Sequence, residues 1–241
     1  MTLERRPDRP LTPPEHHHAD VSGGWLRAAV FGAMDGLVTN IALIAGVGGG
    51  GMAPRNILLA GSAGLIAGAI SMAFGEYTSV RTQNEQIARE VAKERAELAR
   101  NPEGEAEELA QRWIARGLPE DVVRLMAQTL RDHPEEALRL HVHEELGVSA
   151  TEAPSPWVAA ISSFTCFAIG ALIPLVPYLF GSPHLWLALA VGGAGLALAG
   201  ALAARVTGRS RWLGAGRQLL LGGAAAGATY LIGTAIGVTV A

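Results

Sequence analysis

Charged side chains are missing from a long part of this 241-residue chain, because no Asp, Glu, Lys or Arg occurs between Pro154 and Ala204. A soluble protein does not need so long a neutral stretch, whereas the hydrocarbon of a bilayer offers a charge no partner. Only 17% of all residues are charged, 49% are hydrophobic, and the mean hydropathy is +0.26. The chain is therefore expected to be an integral membrane protein.

Other absences exclude further classes of protein. The single cysteine, Cys166, lies in an apolar run, which excludes a disulfide framework and a thiolate metal cluster. The net charge of -3 gives no basic footprint for nucleic acid. No nucleophile–base constellation, phosphate loop or cofactor motif is present, so we expect a protein that is not an enzyme.

The N-terminal residues 1–22 have no apolar core of the kind that a signal peptide needs. They are polar and rich in proline, which is typical of a disordered tail. The run His16–His18 offers weak metal binding at most, and a solvated tail is the favoured interpretation. The lack of a targeting segment suits the plasma membrane of a bacterium.

Five apolar windows are long enough to cross about 30 Å of hydrocarbon as helices. These windows are residues 25–47, 57–80, 157–180, 185–206 and 218–240. The predicted fold is an all-α integral membrane protein with five transmembrane helices and a cytosolic helical insert between the second and third. The predicted division is a cytosolic tail at 1–22, helices one and two within 23–80, an acidic insert at 81–153, and helices three to five within 154–241.

The acidic insert, residues 81–153, carries 16 acidic and 10 basic residues. No helix breaker separates Tyr77 from Arg100, so the second membrane helix is predicted to continue to Arg100 as one helix. Proline and glycine then delimit three shorter helices. Their predicted ranges are 103–116, 120–131 and 134–146.

Basic residues predict the orientation, because loops on the cytoplasmic side carry an excess of Lys and Arg. Arginines precede or open the first span and fill the connection 207–217 between the fourth and fifth spans. The first-to-second connection has only Arg55, and the third-to-fourth has none. The N-terminus and the acidic insert are therefore expected in the cytoplasm, and the C-terminus outside.

A few polar side chains lie inside the predicted spans, where they are costly and functional by default. Asp35 is near the middle of the first span, with Asn40 further along it, and Met72 and Glu76 share a face of the second span. A carboxylate together with a thioether suits a borderline divalent metal such as Fe(II) or Mn(II). These four residues are the candidate transport path, although core packing is the default role for Met72 on its own.

Two ExxE pairs, Glu94 with Glu97 and Glu105 with Glu108, each place two carboxylates on one helix face. The break at Asn101–Pro102 allows the two faces to fold together, and the last helix of the insert adds His141 and Glu145. Such a group can bridge divalent ions. On spacing alone the favoured interpretation is the other one, in which these helices are solvated faces held by i,i+4 ion pairs, and the metal site is the alternative.

Three motifs resemble those of the vacuolar iron transporter family. The first is the run from Asp35 to Asn40, DGLVTN, with the glycines at 48–51 after it. The second is ISMAFGEY at 70–77 followed by SVRTQ at 79–83, and the third is GALIP at 170–174. The resemblance covers roughly residues 25–241, including the acidic insert.

The resemblance implies a five-span homodimer that exchanges cytosolic Fe²⁺, and often Mn²⁺, for protons. It implies that Asp35 and Met72 line the path. It also implies that the insert's metal ligands are the carboxylates of Glu94, Glu97, Glu105, Glu108 and Glu145. Where the family often has adjacent methionines, this chain has His141 and Val142; His141 offers a nitrogen ligand, and Val142 offers none.

The predicted function is a divalent metal/proton antiporter that moves Fe²⁺, or Mn²⁺, out of the cytoplasm. No tightly bound cofactor is expected; Fe²⁺, Mn²⁺ or Zn²⁺ would be substrate and ligand of the insert. The alternative is a membrane-anchored metal sensor or storage protein that binds metal without transporting it. Asp35 discriminates between the two, because an anchor has no need of a carboxylate in the middle of the membrane.

Overall fold

A computed structural model describes residues 24–147 and 153–240, and these residues form helices joined by short turns. The helices are α1 (Trp25–Gly49), α2 (Pro54–Arg100), α3 (Pro102–Ala115), α4 (Glu120–Arg131), α5 (Pro134–Leu146), α6 (Pro156–Leu172), α7 (Val176–Leu179), α8 (Leu185–Val206) and α9 (Arg211–Val240). The predicted tail at 1–22, with its His16–His18 run, lies outside the described residues.

Within the described residues, five helical segments are long and apolar enough to cross a membrane. They are α1, α2, α6 with its continuation through α7, α8 and α9. This confirms the predicted all-α membrane protein with five spans. We call these segments, with α2 counted only as far as Val80, the membrane body.

The centre of the membrane body is α1, which packs against α2, α6, α8 and α9. Small residues permit this close packing, because a Cβ atom at Gly36 would overlap the backbone carbonyl of Phe167 on α6. A Cβ atom at Gly233 on α9 would likewise overlap the carbonyl of Gly46 on α1. Gly36 and Gly233 therefore serve packing between helices of the same chain.

The third span is interrupted near its end, as its two prolines predict. Helix α6 ends at Leu172, a 3₁₀ turn covers Ile173–Leu175, and α7 begins at Val176. Proline lacks an N–H group and clashes with the preceding turn of a helix, so Pro174 favours this local change of helical geometry.

The fifth membrane helix begins at Arg211, seven residues before the predicted start at Gln218. The expected connection at 207–217 was wrong, because most of it belongs to α9. The prediction started the span after Arg217, since charge marks the edge of the hydrocarbon. The hydrocarbon edge does not limit a helix, because arginine is a good helix former and its long side chain reaches the interface.

Helix α2 continues without interruption through 47 residues, from the membrane body to Arg100. At its end, the side chain of Asn101 accepts a hydrogen bond from the backbone N–H of Gly104, and Pro102 occupies the first turn of α3. This capping turns the chain back on itself. The division of the chain at 80/81 and 153/154 stays a prediction.

Helices α3 and α4 pack against each other through the small apolar core of the acidic insert. Leu109 and Trp113 of α3 contact Val123 of α4, and all three side chains are buried. Helix α5 packs against both α2 and α4. Within the insert, α3 and α5 thus pack against the far end of α2, and α4 packs against these two helices.

Candidate functional site

Three helices of the acidic insert converge on one small polar cluster. Glu94 comes from α2, Glu105 from the first turn of α3, and His141 from α5. One potential ligand atom from each of the three residues lies within 4.8 Å of the other two. The fold-back at Asn101 is what brings the two ExxE pairs into the same place.

His141 is the centre of this cluster, and its side chain is only 2% exposed. Its Nδ1 atom lies 3.1 Å from Oε1 of Glu94, 3.8 Å from Oε2 of Glu105 and 3.6 Å from Oε1 of Glu145. A nitrogen ligand surrounded by three carboxylates is a donor set that suits Fe(II), Mn(II) or Zn(II).

Two atoms of the cluster are buried without a hydrogen bond. Nδ1 of His141 and Oε1 of Glu94 face each other, but the contact lacks hydrogen-bond geometry, and neither atom has another hydrogen-bond partner in the described part of the chain. Buried polar atoms are nearly always satisfied. A cation bound between them would supply the missing interaction for both atoms.

Burial and mutual repulsion alter the acidity of these carboxyl groups. Burial, followed by the negative charges of Glu145, Glu105, Glu97 and Glu108, raises the pKa of Glu94 to about 7. A group with this pKa is about half protonated near neutral pH. A divalent cation that binds the carboxylate therefore displaces a proton from the molecules that still hold it.

The pKa of Glu105 is raised for similar reasons. Burial is the main cause, and the charges of Glu108, Glu97 and Glu145 add to it, while His141 opposes the shift. Each of the five carboxylates predicted as metal ligands therefore belongs to one electrostatic cluster. We call these five, with His141, the carboxylate cluster.

Neighbouring polar residues of α5 lie outside the carboxylate cluster. Glu144 forms an ion pair with Arg116, which lowers the pKa of Glu144, and His143 is exposed. Val142, at the position where a methionine was expected, is fully buried. It packs as an apolar residue, so only His141 of this pair offers a donor atom.

The polar residues of the membrane body are more dispersed. Asp35 is half-buried on α1, and its Oδ1 atom accepts a hydrogen bond of 3.2 Å from the hydroxyl of Thr39. Phe31, one turn before it, is 55% exposed, and Thr39, one turn after it, is also exposed. Asp35 therefore lies on a face of α1 that the described chain leaves open.

On α2, the two candidate residues have different surroundings. Met72 is half-buried and packs against the apolar cluster of Ala69, Phe167 and Ala171. Glu76, one turn further along, is only 7% exposed, and its Oε2 atom lies 2.9 Å from Nη2 of Arg27 on α1. The sequence did not predict this partner of Glu76, because the arginines that open the first span were used only to predict the orientation of the protein in the membrane.

Asn40 lies inside the membrane body on another side of α1. Five residues of an α-helix separate it from Asp35, which places the two side chains about 140° apart. Asn40 is 1% exposed, and its Nδ2 atom donates a hydrogen bond of 2.5 Å to the carbonyl of Ala171. Pro174, three residues after Ala171, has no N–H to offer that carbonyl, so the amide supports the interrupted part of the third span.

Comparison with known proteins adds a separate line of information. The model of the VIT family matches residues 26–234 of the chain. A vacuolar iron transporter of Acanthamoeba castellanii is 37% identical over 218 residues, which cover 88% of this chain and 78% of that protein. Vacuolar iron transporter 1 of Oryza sativa subsp. japonica is 31% identical over 95% of this chain and 93% of its own length. Vacuolar iron transporter 1 of Eucalyptus grandis is 34% identical over 69% of this chain.

Proposed function

Because this chain belongs to the VIT family, whose members are membrane transporters, we propose that it carries Fe²⁺ out of the cytoplasm in exchange for protons. Mn²⁺ is the proposed second substrate. The observation that carries the proposal is the pair of unpartnered, buried ligand atoms of Glu94 and His141 on an insert continuous with a membrane helix. A sequence of solvated acidic helices would not bury such atoms.

The proposed route begins in the acidic insert. The carboxylate cluster collects the metal ion, and its protonated carboxyl groups give up protons as the ion binds. Glu94 and Met72 are on the same helix, separated by a rise of roughly 33 Å along the axis. The cluster is therefore a loading site, distinct from the sites at which the ion enters the membrane.

Within the membrane body, Asp35, Met72 and Glu76 form the proposed path. Asp35 and Glu76 supply the charge that a divalent cation requires, and the thioether of Met72 favours Fe²⁺ over Mg²⁺ or Ca²⁺. Protonation of Asp35 or Glu76 from the far side releases the ion and returns a proton. Asn40 is the proposed support of this region through its contact with α6.

The open face around Asp35 supports the proposal that the protein works as a homodimer. A carboxylate inside the membrane costs several kcal/mol unless it faces water, a cation or a partner. The exposed Phe31 and Thr39 share the face of Asp35. A second copy placed there brings two Asp35 side chains to the same path.

The proposed orientation places the N-terminus, the acidic insert and the α8–α9 connection in the cytoplasm, with the C-terminus outside. The arginines at these places support the assignment. They indicate on which side of the membrane each segment lies, but they do not indicate which membrane of the cell holds the protein. The plasma membrane of a bacterium stays a prediction, beside relatives that are named vacuolar transporters.

Purified protein in proteoliposomes with a pH gradient tests this function. We expect Fe²⁺ to move towards the acidic compartment, protons to move the opposite way, and both fluxes to be lost in Asp35→Ala. Metal binding by the insert should be the same in Asp35→Ala and the wild type, which shows that the variant is folded. Absence of metal flux in the wild type, or full flux in Asp35→Ala, would contradict the proposal.

The second candidate function is a membrane-anchored metal sensor or storage protein. Its support is the carboxylate cluster, which lies outside the apolar half of α2 and is complete without any residue of the membrane body. The same assay distinguishes it, since this protein would bind Fe²⁺ in the insert and show no flux at any pH gradient.

A further inference from the structure

One arginine lies inside the carboxylate cluster. Nη2 of Arg112 is 2.9 Å from Oε1 of Glu108 and 3.1 Å from Oε1 of Glu145. A single nitrogen atom thus contacts two of the five proposed metal ligands, which come from α3 and α5. The guanidinium group occupies the space between two carboxylates in which a bound cation would be placed.

Five of the six members of the carboxylate cluster, all but Glu97, fall into two unequal parts. The part formed by Glu94, Glu105 and His141 contains the unpartnered buried atoms, and no Lys or Arg of the described residues forms an ion pair with it. In the part formed by Glu108 and Glu145, Arg112 already supplies the positive charge. The two parts meet at Oε1 of Glu145, which is also 3.6 Å from Nδ1 of His141.

We propose that Arg112 is an internal counter-ion that competes with the transported cation for Glu108 and Glu145. A divalent ion bound by these two carboxylates must first displace the guanidinium, and must then share the cluster with a nearby positive charge. Both effects weaken binding in this part and leave the first ion at Glu94, Glu105 and His141. This inference rests on the proposed role of the insert as a metal-loading site.

The physical basis is that arginine stays charged at every relevant pH and makes strong charge-assisted hydrogen bonds to carboxylates. Arg112 is only 35% exposed, and Glu145 is 24% exposed, so water screens their interaction incompletely. The consequence for transport is a cluster that binds the ion reversibly. Five uncompensated carboxylates would hold it too tightly for delivery to the membrane.

Arg116, the residue that caps the end of α3, provides a matched control. It lies one turn after Arg112 and forms an equivalent α3–α5 ion pair, with Glu144. Glu144 is next to Glu145 in sequence but does not belong to the carboxylate cluster. Arg116→Gln therefore removes the same charge and the same kind of contact between helices without uncovering a proposed metal ligand.

The test is Mn²⁺ binding to the full-length protein in detergent, with free Mn²⁺ counted by electron paramagnetic resonance. We expect Arg112→Gln to bind Mn²⁺ about tenfold more tightly than the wild type, or to bind one further ion, because a charge-assisted competitor is gone. Arg116→Gln should match the wild type. In a Glu108→Gln background, Arg112→Gln should have a smaller effect, because one of the uncovered ligands is missing.

A gain of affinity cannot arise from damage to the fold, so the expected result separates competition from a structural role. Melting of the metal-free protein provides a second measurement: Arg112→Gln should melt at a lower temperature and be stabilised more by Mn²⁺ than the wild type. Wild-type affinity in Arg112→Gln, or weaker binding, overturns the inference. Saturable binding in the wild type that Glu94→Gln leaves unchanged overturns instead the proposed loading site.

Discussion

The membrane body and the acidic insert differ in how their carboxylates are placed and in what partners those carboxylates have. In the described membrane body there are two carboxylates, and each has its own partner: Asp35 has the hydroxyl of Thr39, and Glu76 has Arg27. In the insert, burial and then the charges of neighbouring carboxylates raise the pKa of Glu94 and Glu105, and two buried atoms of Glu94 and His141 have no hydrogen bond among the described residues. The carboxylates of the body are thus dispersed and separately partnered, whereas those of the insert are gathered in one cluster.

The largest expected effect is a loss of stability when the close packing of glycines in the membrane body is disturbed, and such packing has no counterpart in the small apolar core described for the insert. Gly36→Ala should destabilise the protein by about 3 kcal/mol or more, because the added methyl group overlaps the backbone of α6 at Phe167. Gly223→Ala on α9 is the matched control, since no described atom lies within 4 Å of its added methyl group. Thermal melting in detergent measures both; equal melting temperatures would show that this packing is looser than described.

The next effect concerns the insert, where removal of a charge should have two consequences of opposite sign. Glu94→Gln should weaken Fe²⁺ binding about tenfold to a hundredfold, because a ligand is lost from the cluster. It should also raise the melting temperature of the metal-free protein at pH 8, because burial and repulsion of the carboxylate disappear. Anaerobic binding and melting measurements check these results, and a lower metal-free melting temperature would contradict the second.

Removing the charge of Arg27 should destabilise the protein more than removing the charge of Glu76. Arg27→Gln leaves a buried carboxylate without its cation, whereas Glu76→Gln leaves an arginine whose side chain is 67% exposed and hydrated. We expect a loss of about 1–3 kcal/mol in Arg27→Gln and a smaller loss in Glu76→Gln. The double variant should be more stable than Arg27→Gln in melting experiments. A double variant as unstable as the sum of both changes would indicate that the two residues do not interact.

The pH dependence of the insert follows from the raised pKa of Glu94. Its folded-state pKa of about 7 exceeds the ordinary 4.5, so the folded protein holds a proton between these values that the unfolded chain has lost. Stability of the metal-free protein should therefore fall as pH rises through this window, while Fe²⁺ affinity should rise. Titrations at pH 5.5, 6.5 and 7.5 test both trends, and Glu94→Gln should flatten them.

The smallest effect should come from an ion pair on the surface of the insert. Arg95 and Glu135 are 2.6 Å apart, but their side chains are 57% and 64% exposed. Arg95→Ala should cost less than about 1 kcal/mol and leave metal affinity unchanged, because water and salt screen this pair. A marked loss of metal binding would mean that surface charges of the insert also attract the ion.

Much of this fold was predictable because it depends on local sequence. The length of α2 follows from the absence of a helix breaker before Asn101, and the 3₁₀ turn in the third span follows from Pro174. The ExxE spacing predicted the faces of Glu94 and Glu105 but could not distinguish a metal site from a solvated face. The convergence of α2, α3 and α5 around the buried His141 depends on tertiary contacts that this spacing does not contain.

Other features depend on contacts between distant parts of the chain. Glu76 and Arg27 are 49 residues apart, and the hydrogen bond of Asn40 to Ala171 spans 131 residues. No local pattern fixes such a pair. Arg112 is a similar case, since its spacing to Glu108 suggests an ordinary surface pair along one helix, and only the packing of α5 adds Glu145 to it.

The uninterrupted length of α2 has a mechanical consequence. Glu94 is 14 residues beyond Val80, so its backbone lies roughly 21 Å past the apolar half of the same helix. A stiff rod of this length acts as a lever: tilting it by about 10° within the membrane moves the Glu94 end sideways by roughly 4 Å. That displacement is comparable with the 3.1 Å between Oε1 of Glu94 and Nδ1 of His141, so we expect the geometry of the cluster to be sensitive to a small tilt of the second span.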